Sequence, residues 1–315
     1  MRKKLLTLFA VFCFGFGAMT QTVEITDGKS LIESYLSPLG NGLGAALNNG
    51  WYNTAKPHHL GGFDVTITAN LVLIPTDAKT FNISESNTGT FSGGETSTIL
   101  GNKSGGTVTY TSGDNLSGDD FKMPEGLKIP LLPVPMLQAG VGLIKNTEID
   151  VRFMPEIEMS GVSTDLFGVG VKHDILQWLP IVDKIPIDVS FQAGYTKLSS
   201  KILLEDPNSN VTSEATLDVG ATTFNILLSK KIAMFTAYAG LGYNSAKTTF
   251  NVDGEYNIAG KKFDVNQLTE FKFESNNNLR ANVGFRFQLA VLAIQANYTF
   301  SEYPVATVGL GVSIR

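Results

Sequence analysis

From Leu279 onward the chain alternates apolar and polar residues almost without a break. Leu279, Ala281, Val283, Phe285, Phe287 and Leu289 fall on one parity; Arg280, Asn282, Gly284, Arg286 and Gln288 fall on the other. A period of two belongs to a β-strand with one apolar and one polar face. Strands of soluble sheets run to about 5 or 6 residues, and these runs are longer and recur to the end of the chain. Their polar face also carries arginines. That is the pattern of a transmembrane β-barrel, apolar toward lipid and polar toward a lumen.

Ten such runs can be marked: residues 63–75, 134–145, 148–153, 161–172, 187–198, 212–230, 233–249, 278–289, 291–300 and 305–315. The expected fold is therefore all-β, an antiparallel transmembrane barrel of about ten strands, with 12–14 as the alternative count. Short links at 145–146, 229–232 and 289–290 alternate with long ones at 199–211 and 247–277. In the run 212–230 the parity slips. Leu217, Val219 and Ala221 are odd, but Phe224, Ile226 and Leu228 are even; one extra residue, a β-bulge near Thr222, accounts for it. Residues 76–128, rich in Ser, Thr, Gly and Asn, form a long extracellular insertion with room for a further hairpin around 107–111. Residues 174–186 break the pattern, with Ile175, Leu176 and Trp178 suiting one helical turn.

Arg2, Lys3 and Lys4 precede an apolar stretch from Leu5 to Phe16, too short to span a bilayer as a helix, and Ala18-Met19-Thr20 offers a cleavage site. Residues 1–20 thus read as a signal peptide of a secreted, Gram-negative outer-membrane protein. The single cysteine, Cys13, lies in that stretch, so disulfides and thiolate sites are excluded downstream. With 32 glycines, 17% charged residues and a net charge of −5, the composition suits a barrel and argues against nucleic acid as a partner.

Residues 21–62 precede the first strand. Ser30 and Glu33 form a capping box for a short helix that places Leu31, Tyr35, Leu36 and Leu39 on one face, and Pro38 and Gly40 end it. Then come Gly40-Asn41-Gly42-Leu43-Gly44 and Gly50-Trp51-Tyr52-Asn53-Thr54-Ala55, followed by His58 to Asp64. These segments, with the strand after them, resemble an uncharacterised family of Bacteroidetes outer-membrane barrels of the DUF6588 type. That family is itself similar to FadL-type transporters of hydrophobic compounds. The resemblance implies that 21–62 is a short, partly helical plug inside a barrel formed by 63–315. It also implies passive uptake of small hydrophobic molecules, with Leu43, Leu47, Trp51, Tyr52 and His58 contacting the ligand.

Other chemistry finds little support. No H-x-x-x-H or H-E-x-x-H spacing and no G-x-S-x-G is present. His58-His59 beside Asp64 could bind a metal, but the pair reads rather as a loop pair at the barrel mouth; neither metal nor cofactor is expected, and no enzyme. Glu148, Asp150, Arg152, Asp188, Asp218, Arg280 and Arg286 fall on expected lumen positions. Buried charges must be paired or hydrated, so they form a bracing network, a selectivity region or a contact for the plug. Trp51, Tyr52 and Trp178 line a pocket or sit in an interfacial aromatic belt, the belt being preferred for Trp178. The remaining expected partners are outer-membrane lipid, lipopolysaccharide and the barrel-assembly machinery. A closed-lumen structural or adhesive barrel is the alternative function.

Overall fold

The computed structural model describes residues 25–86, 91–111, 120–159, 161–178, 186–205, 212–253, 255–258, 261–264, 271–275 and 279–314. The expected signal peptide lies outside these residues. The first element is a helix, α1, at Ile25–Asn48. Strand β1 is Phe63–Leu73, and a group of short strands follows: β2 Thr80–Asn82, β3 Phe91–Ser92, β4 Glu95–Ser97, β5 Thr107–Tyr110 and β6 Phe121–Lys122. The long strands are β7 Leu131–Leu143, β8 Thr147–Met159, β9 Val162–Asp174, β10 Asp188–Glu205, β11 Thr212–Ile232 and β12 Phe235–Asp253. After a hairpin of β13 Glu255–Ile258 and β14 Lys261–Asp264 come β15 Phe271–Ser275, β16 Leu279–Leu289, β17 Leu292–Phe300 and β18 Val305–Ile314.

The long strands pair with their sequence neighbours, all antiparallel, and β1 pairs with β18 from Phe63↔Ile314 to Val72↔Val305, closing the barrel. One edge of β12 is shared by β16 below, over Phe235–Tyr243, and β15 above, over Ala246–Phe250. The two act as one stave, which makes ten. Three tight turns lie at one end. Lys145 and Asn146 both have positive φ (55° and 47°), the signature of a type I′ hairpin turn, and Ala233 and Ala290 turn with φ 53°. Phe63 and Ile314 lie at this same turn end. Outward side chains there are apolar and bare: Ile67 is 65% exposed, Phe167 54% and Leu310 57%. A belt of this kind is at rest only in lipid.

The expected bulge near Thr222 is absent. β11 pairs in continuous register with β10 and with β12, and its odd residues point inward along its whole described length. What changes at Thr222 is the solvent on each side. Below it, Phe224, Ile226 and Leu228 face outward and Thr223, Asn225 and Ser229 inward; above it, Leu217, Val219 and Ala221 face inward. The same inversion occurs at the same level next door. In β10 the outward Phe191 and Tyr195 give way to Lys197 and Lys201, while Leu198 turns in. In β12 the outward Leu241 and Tyr243 give way to Lys247, while Ala246 turns in. The strands therefore leave the lipid here and continue as a sheet, wet outside and apolar inside. Much of 199–211 and 247–277, expected as loops, is strand for this reason. Asp218, expected in the lumen, lies on the outer face and pairs with Lys197 at 3.6 Å.

The apolar inner wall is covered by α1. The helix does not end at Pro38 and Gly40 but continues to Asn48, about 36 Å in all. Pro38 deprives the carbonyl of Ser34 of its partner, a local penalty, but Leu31, Tyr35, Leu36, Leu43 and Leu47 are buried inside the barrel. Tertiary packing overrides propensity here. The helix starts at the loop end, where Ile99 N donates to the carbonyl of Tyr35 (3.1 Å) and the Tyr35 hydroxyl donates to that of Glu125 (3.2 Å). Burial raises the pKa of Tyr35, and that of nearby Tyr303 is pushed up to about 12. The insertion expected at 76–128 is a folded cap over these first turns. Pairs β2–β4 and β3–β5–β6 bury Ile83, Phe91, Leu100, Val108 and Met123. The strand around 107–111 thus belongs to the cap and adds no stave. Tyr35→Phe removes one buried hydrogen bond and is expected to lower stability by about 1 kcal/mol, measurable by thermal unfolding in detergent.

Candidate functional site: the plugged lumen

Where α1 ends, the last four carbonyls of an α-helix have no partner within it. The described part of α1 has no basic residue in its last turn to meet them, and the donors come from the residue after the helix and from the barrel wall. Asn49 Nδ2 donates to Ala45 O (2.7 Å) and Asn70 Nδ2, from β1, to Ala46 O (2.7 Å). Arg152 Nη1, from β8, donates to Leu47 O (2.9 Å), and Arg280 Nη1, from β16, to Asn48 O (2.7 Å). Two guanidinium groups at the negative end of the helix dipole are favourably placed. Thr307 Oγ1 and Thr299 Oγ1 donate to Asn70 Oδ1 and Asn49 Oδ1 (2.7 and 2.6 Å), fixing the two amides. Gly50 then turns the chain at φ 77°, where a Cβ would also crowd Asn70 Oδ1 at 3.0 Å.

Below the turn, Trp51 is sandwiched. The Arg152 guanidinium lies 3.6 Å from its ring centroid. The ring also fills the place of two missing side chains. A Cβ on Gly170 or Gly194 would come within 2.6 or 2.5 Å of it. Tyr52 takes a hydrogen bond from Arg280 Nη2 (2.9 Å), gives one to Asn282 Oδ1 (2.9 Å) and packs edge-on against Tyr238. Asn53 Oδ1 accepts from Arg286 Nη1 (3.1 Å), and Ser190 and Ser229 hold the backbone of Ala55. At the turn end Gly61 N and Gly142 N close a short ladder with Gly142 O and Gly62 O (3.1 and 2.8 Å). There His58 N donates to Glu148 Oε2 (2.6 Å), Lys172 Nζ meets Glu148 Oε1 (2.6 Å), and His58 Nε2 lies 3.5 Å from Asp64 Oδ1.

The plug is thus held at every level of the lumen. One family profile matches the chain: that of DUF6588, a family of unknown function, over residues 1–314. The chain belongs to that family. No curated protein matches the sequence. Among solved structures the chain is similar to outer-membrane barrels, these three among them. The protease OmpT of Escherichia coli has TM-score 0.37 at 7% identity, with 85% of this chain and 100% of that chain covered. The attachment protein Ail of Yersinia pestis has 0.29 at 12%, covering 81% and 98%. The translocator domain of the autotransporter NalP of Neisseria meningitidis has 0.30 at 10%, covering 90% and 96%. Likenesses this slight carry nothing about activity.

Of the five residues expected to meet ligand, Leu43 and Leu47 pack in the core shared by helix, wall and cap, and Trp51, Tyr52 and His58 are fully enclosed by the lower wall. None of them lines the cavity of about 270 Å³ that opens at the loop end between Ser34, Pro38, Asp77, Phe81 and Tyr303. Trp51 and Tyr52 are neither belt nor pocket residues but keys of the plug. Of the expected lumen charges, Glu148, Asp150, Arg152, Arg280 and Arg286 are buried inside. Asp188 lies half-buried at the turn-end rim, accepting from Ser229 Oγ at 3.3 Å, and Asp218 is outside. Trp178, 64% exposed at the turn end, donates Nε1 to His173 Nε2 (2.9 Å). Sequence reasoning missed Asn49, Asn70 and Gln138. A polar residue amid the inward parity of β1 was the available signal for Asn70, but nothing along the chain marks a helix end as its partner.

Proposed function

We propose that this protein is an outer-membrane barrel, of a Bacteroidetes-type cell, kept shut by its own N-terminal segment, and that it acts through the cap and extended strands at its loop end. The observation that carries the reading is the plug: the helix fills the apolar upper lumen, and its final carbonyls and the chain after them are bonded to the wall down to the turn end. Long loops of such barrels face outward, so cap and helix start lie at the cell surface. Lipid and lipopolysaccharide cover the apolar belt, and the barrel-assembly machinery inserts the strands. The test is planar-bilayer recording together with fatty-acid uptake by liposomes, for the full chain and for one lacking residues 21–49. The full chain is expected to give neither conductance nor uptake. Uptake by the full chain would overturn the closed reading.

Passive, FadL-like uptake of small hydrophobic molecules is the second reading, and one observation favours it. Val134, Met136, Leu166, Leu198, Val219 and Val305 give the upper lumen an apolar lining beneath the helix. With the helix displaced, these residues would line a cavity for an apolar guest, and Leu43, Leu47, Trp51, Tyr52 and His58 would meet it from the plug. Uptake by the full chain that vanishes without 21–49 would support this reading.

The direction of α1 adds a prediction. A short epitope inserted directly before Ile25 is expected to bind antibody on intact cells. Binding only after permeabilisation would place the helix start on the periplasmic side.

A further inference from the structure

Three donors from three elements meet at the turn end of the lumen: His58 from the plug, Asp64 from β1 and Glu148 from β8. Their ligating atoms all lie within 4.8 Å of one another, and all three residues are buried, with exposures of 2%, 7% and 2%. His58 Nε2 and Asp64 Oδ1 are 3.5 Å apart. Two atoms bound to one ion at about 2.0–2.2 Å stand roughly 3.0–3.5 Å from each other, so this pair already has the spacing of an edge of a coordination shell.

Two further observations point to a ligand. Asp64 Oδ1, apart from the 3.5 Å approach of His58 Nε2, and Asp150 Oδ2 have no hydrogen-bond partner among the described residues, although both are out of reach of water. A buried carboxylate oxygen is costly to leave in that state. The space in front of them is also kept clear. A Cβ on Gly140 would lie 2.7 Å from Asp64 Oδ1, 2.8 Å from Asp150 Oδ1 and 3.4 Å from Glu148 Oε1, so three carboxylates surround the room that glycine leaves. Both oxygens of Glu148 already hold one partner, Lys172 Nζ on Oε1 and the backbone N–H of His58 on Oε2 (2.6 Å each), so an ion would take a second lone pair of the carboxylate.

We propose that His58, Asp64 and Glu148, with Asp150 alongside, hold a zinc-class dication that clasps the lower end of the plug to the barrel wall. One imidazole with carboxylates in a compact buried site suits zinc and its neighbours. Calcium takes six to eight oxygens in roomier shells. The ion joins three chain segments and neutralises carboxylates that otherwise face one another, so it holds the seated plug in preference to a displaced one. The clasp is independent of whether anything passes through the barrel.

The test uses the purified full chain in detergent, stripped with a chelator and then dialysed against Zn²⁺ or Co²⁺. Metal per chain is read by atomic emission, and Co²⁺ coordination by its visible absorption. About one equivalent is expected, with affinity falling at least tenfold in Asp64→Asn and in His58→Ala and unchanged in His59→Ala, whose imidazole is exposed. Asp64→Asn is isosteric, and its folding is checked by heat-modifiable gel mobility. Less than a tenth of an equivalent in the wild type would overturn the proposal and leave the carboxylates to share a proton. Binding lost only in His59→Ala would overturn it equally, as surface capture of the ion.

Discussion

Arg152→Ala unseats the plug and lowers stability by about 3–5 kcal/mol. The side chain is fully buried, and it does three things at once. Nη1 caps the Leu47 carbonyl (2.9 Å), Nε donates to Gln138 Oε1 (2.8 Å), and the guanidinium plane covers Trp51 at 3.6 Å. Alanine strands Gln138 Oε1 in a site closed to water, leaves the Leu47 carbonyl only the longer bond from Thr196 Oγ1 (3.4 Å), and opens a void beside an indole. Each stranded group costs about 1–3 kcal/mol. Arg152→Lys keeps the charge but has no fork with which to serve the helix end and Gln138 together, so an intermediate loss is expected. Thermal unfolding in detergent reads the order wild type, lysine, alanine. An alanine variant within 0.5 kcal/mol of wild type would show that the helix end does not depend on the wall.

The second large effect is steric. Gly194→Val puts a branched side chain where the Trp51 ring lies, 2.5 Å from the position of its Cβ, and neither β10 nor the plug can yield without breaking the bonds above and below. Overpacking of this kind costs about 1–3 kcal/mol and sometimes more; Trp51→Ala alone costs about 3–5 kcal/mol through the cavity it leaves. Combined, the two changes relieve each other, because the valine enters the space the indole vacates. The double variant is expected to be more stable than the sum of the singles by over ~1 kcal/mol. Strict additivity would mean that Trp51 and Gly194 are not in contact.

Much of this arrangement could be read along the chain. Parity alone gives ten staves, the turn end and the inward placement of Glu148, Asp150, Arg152, Arg280 and Arg286. Parity fails where its assumption fails, namely that the inside is wet and the outside oily. Above Thr222 both are reversed, and a reversal written on an unbroken strand has the same sequence signature as a one-residue bulge. That ambiguity also misplaced Asp218. The extent of α1 was hidden for a related reason. Pro38 and the glycines at 40, 42 and 44 describe a poor helix in water, but the surroundings are a tube of apolar side chains in which few other backbone shapes satisfy their own hydrogen bonds. The partners of the arginines were out of reach altogether. Arg152 and Leu47 are 105 residues apart, and their meeting depends on how deep the plug sits, which periodicity does not encode.

The direction of the helix also dictates an order of assembly. The seam of the barrel joins the first stave to the last, Phe63 to Ile314, and the enclosed segment begins at the loop end and reaches the turn end just before that first stave. A cylinder zipped up empty would later have to draw about 36 Å of helix into a lumen whose wall side chains pack against it. The chain avoids this if its earliest residues lie down first and the sheet curls round them, with β18 closing last. The plug is then a mandrel: the object on which the tube is wound.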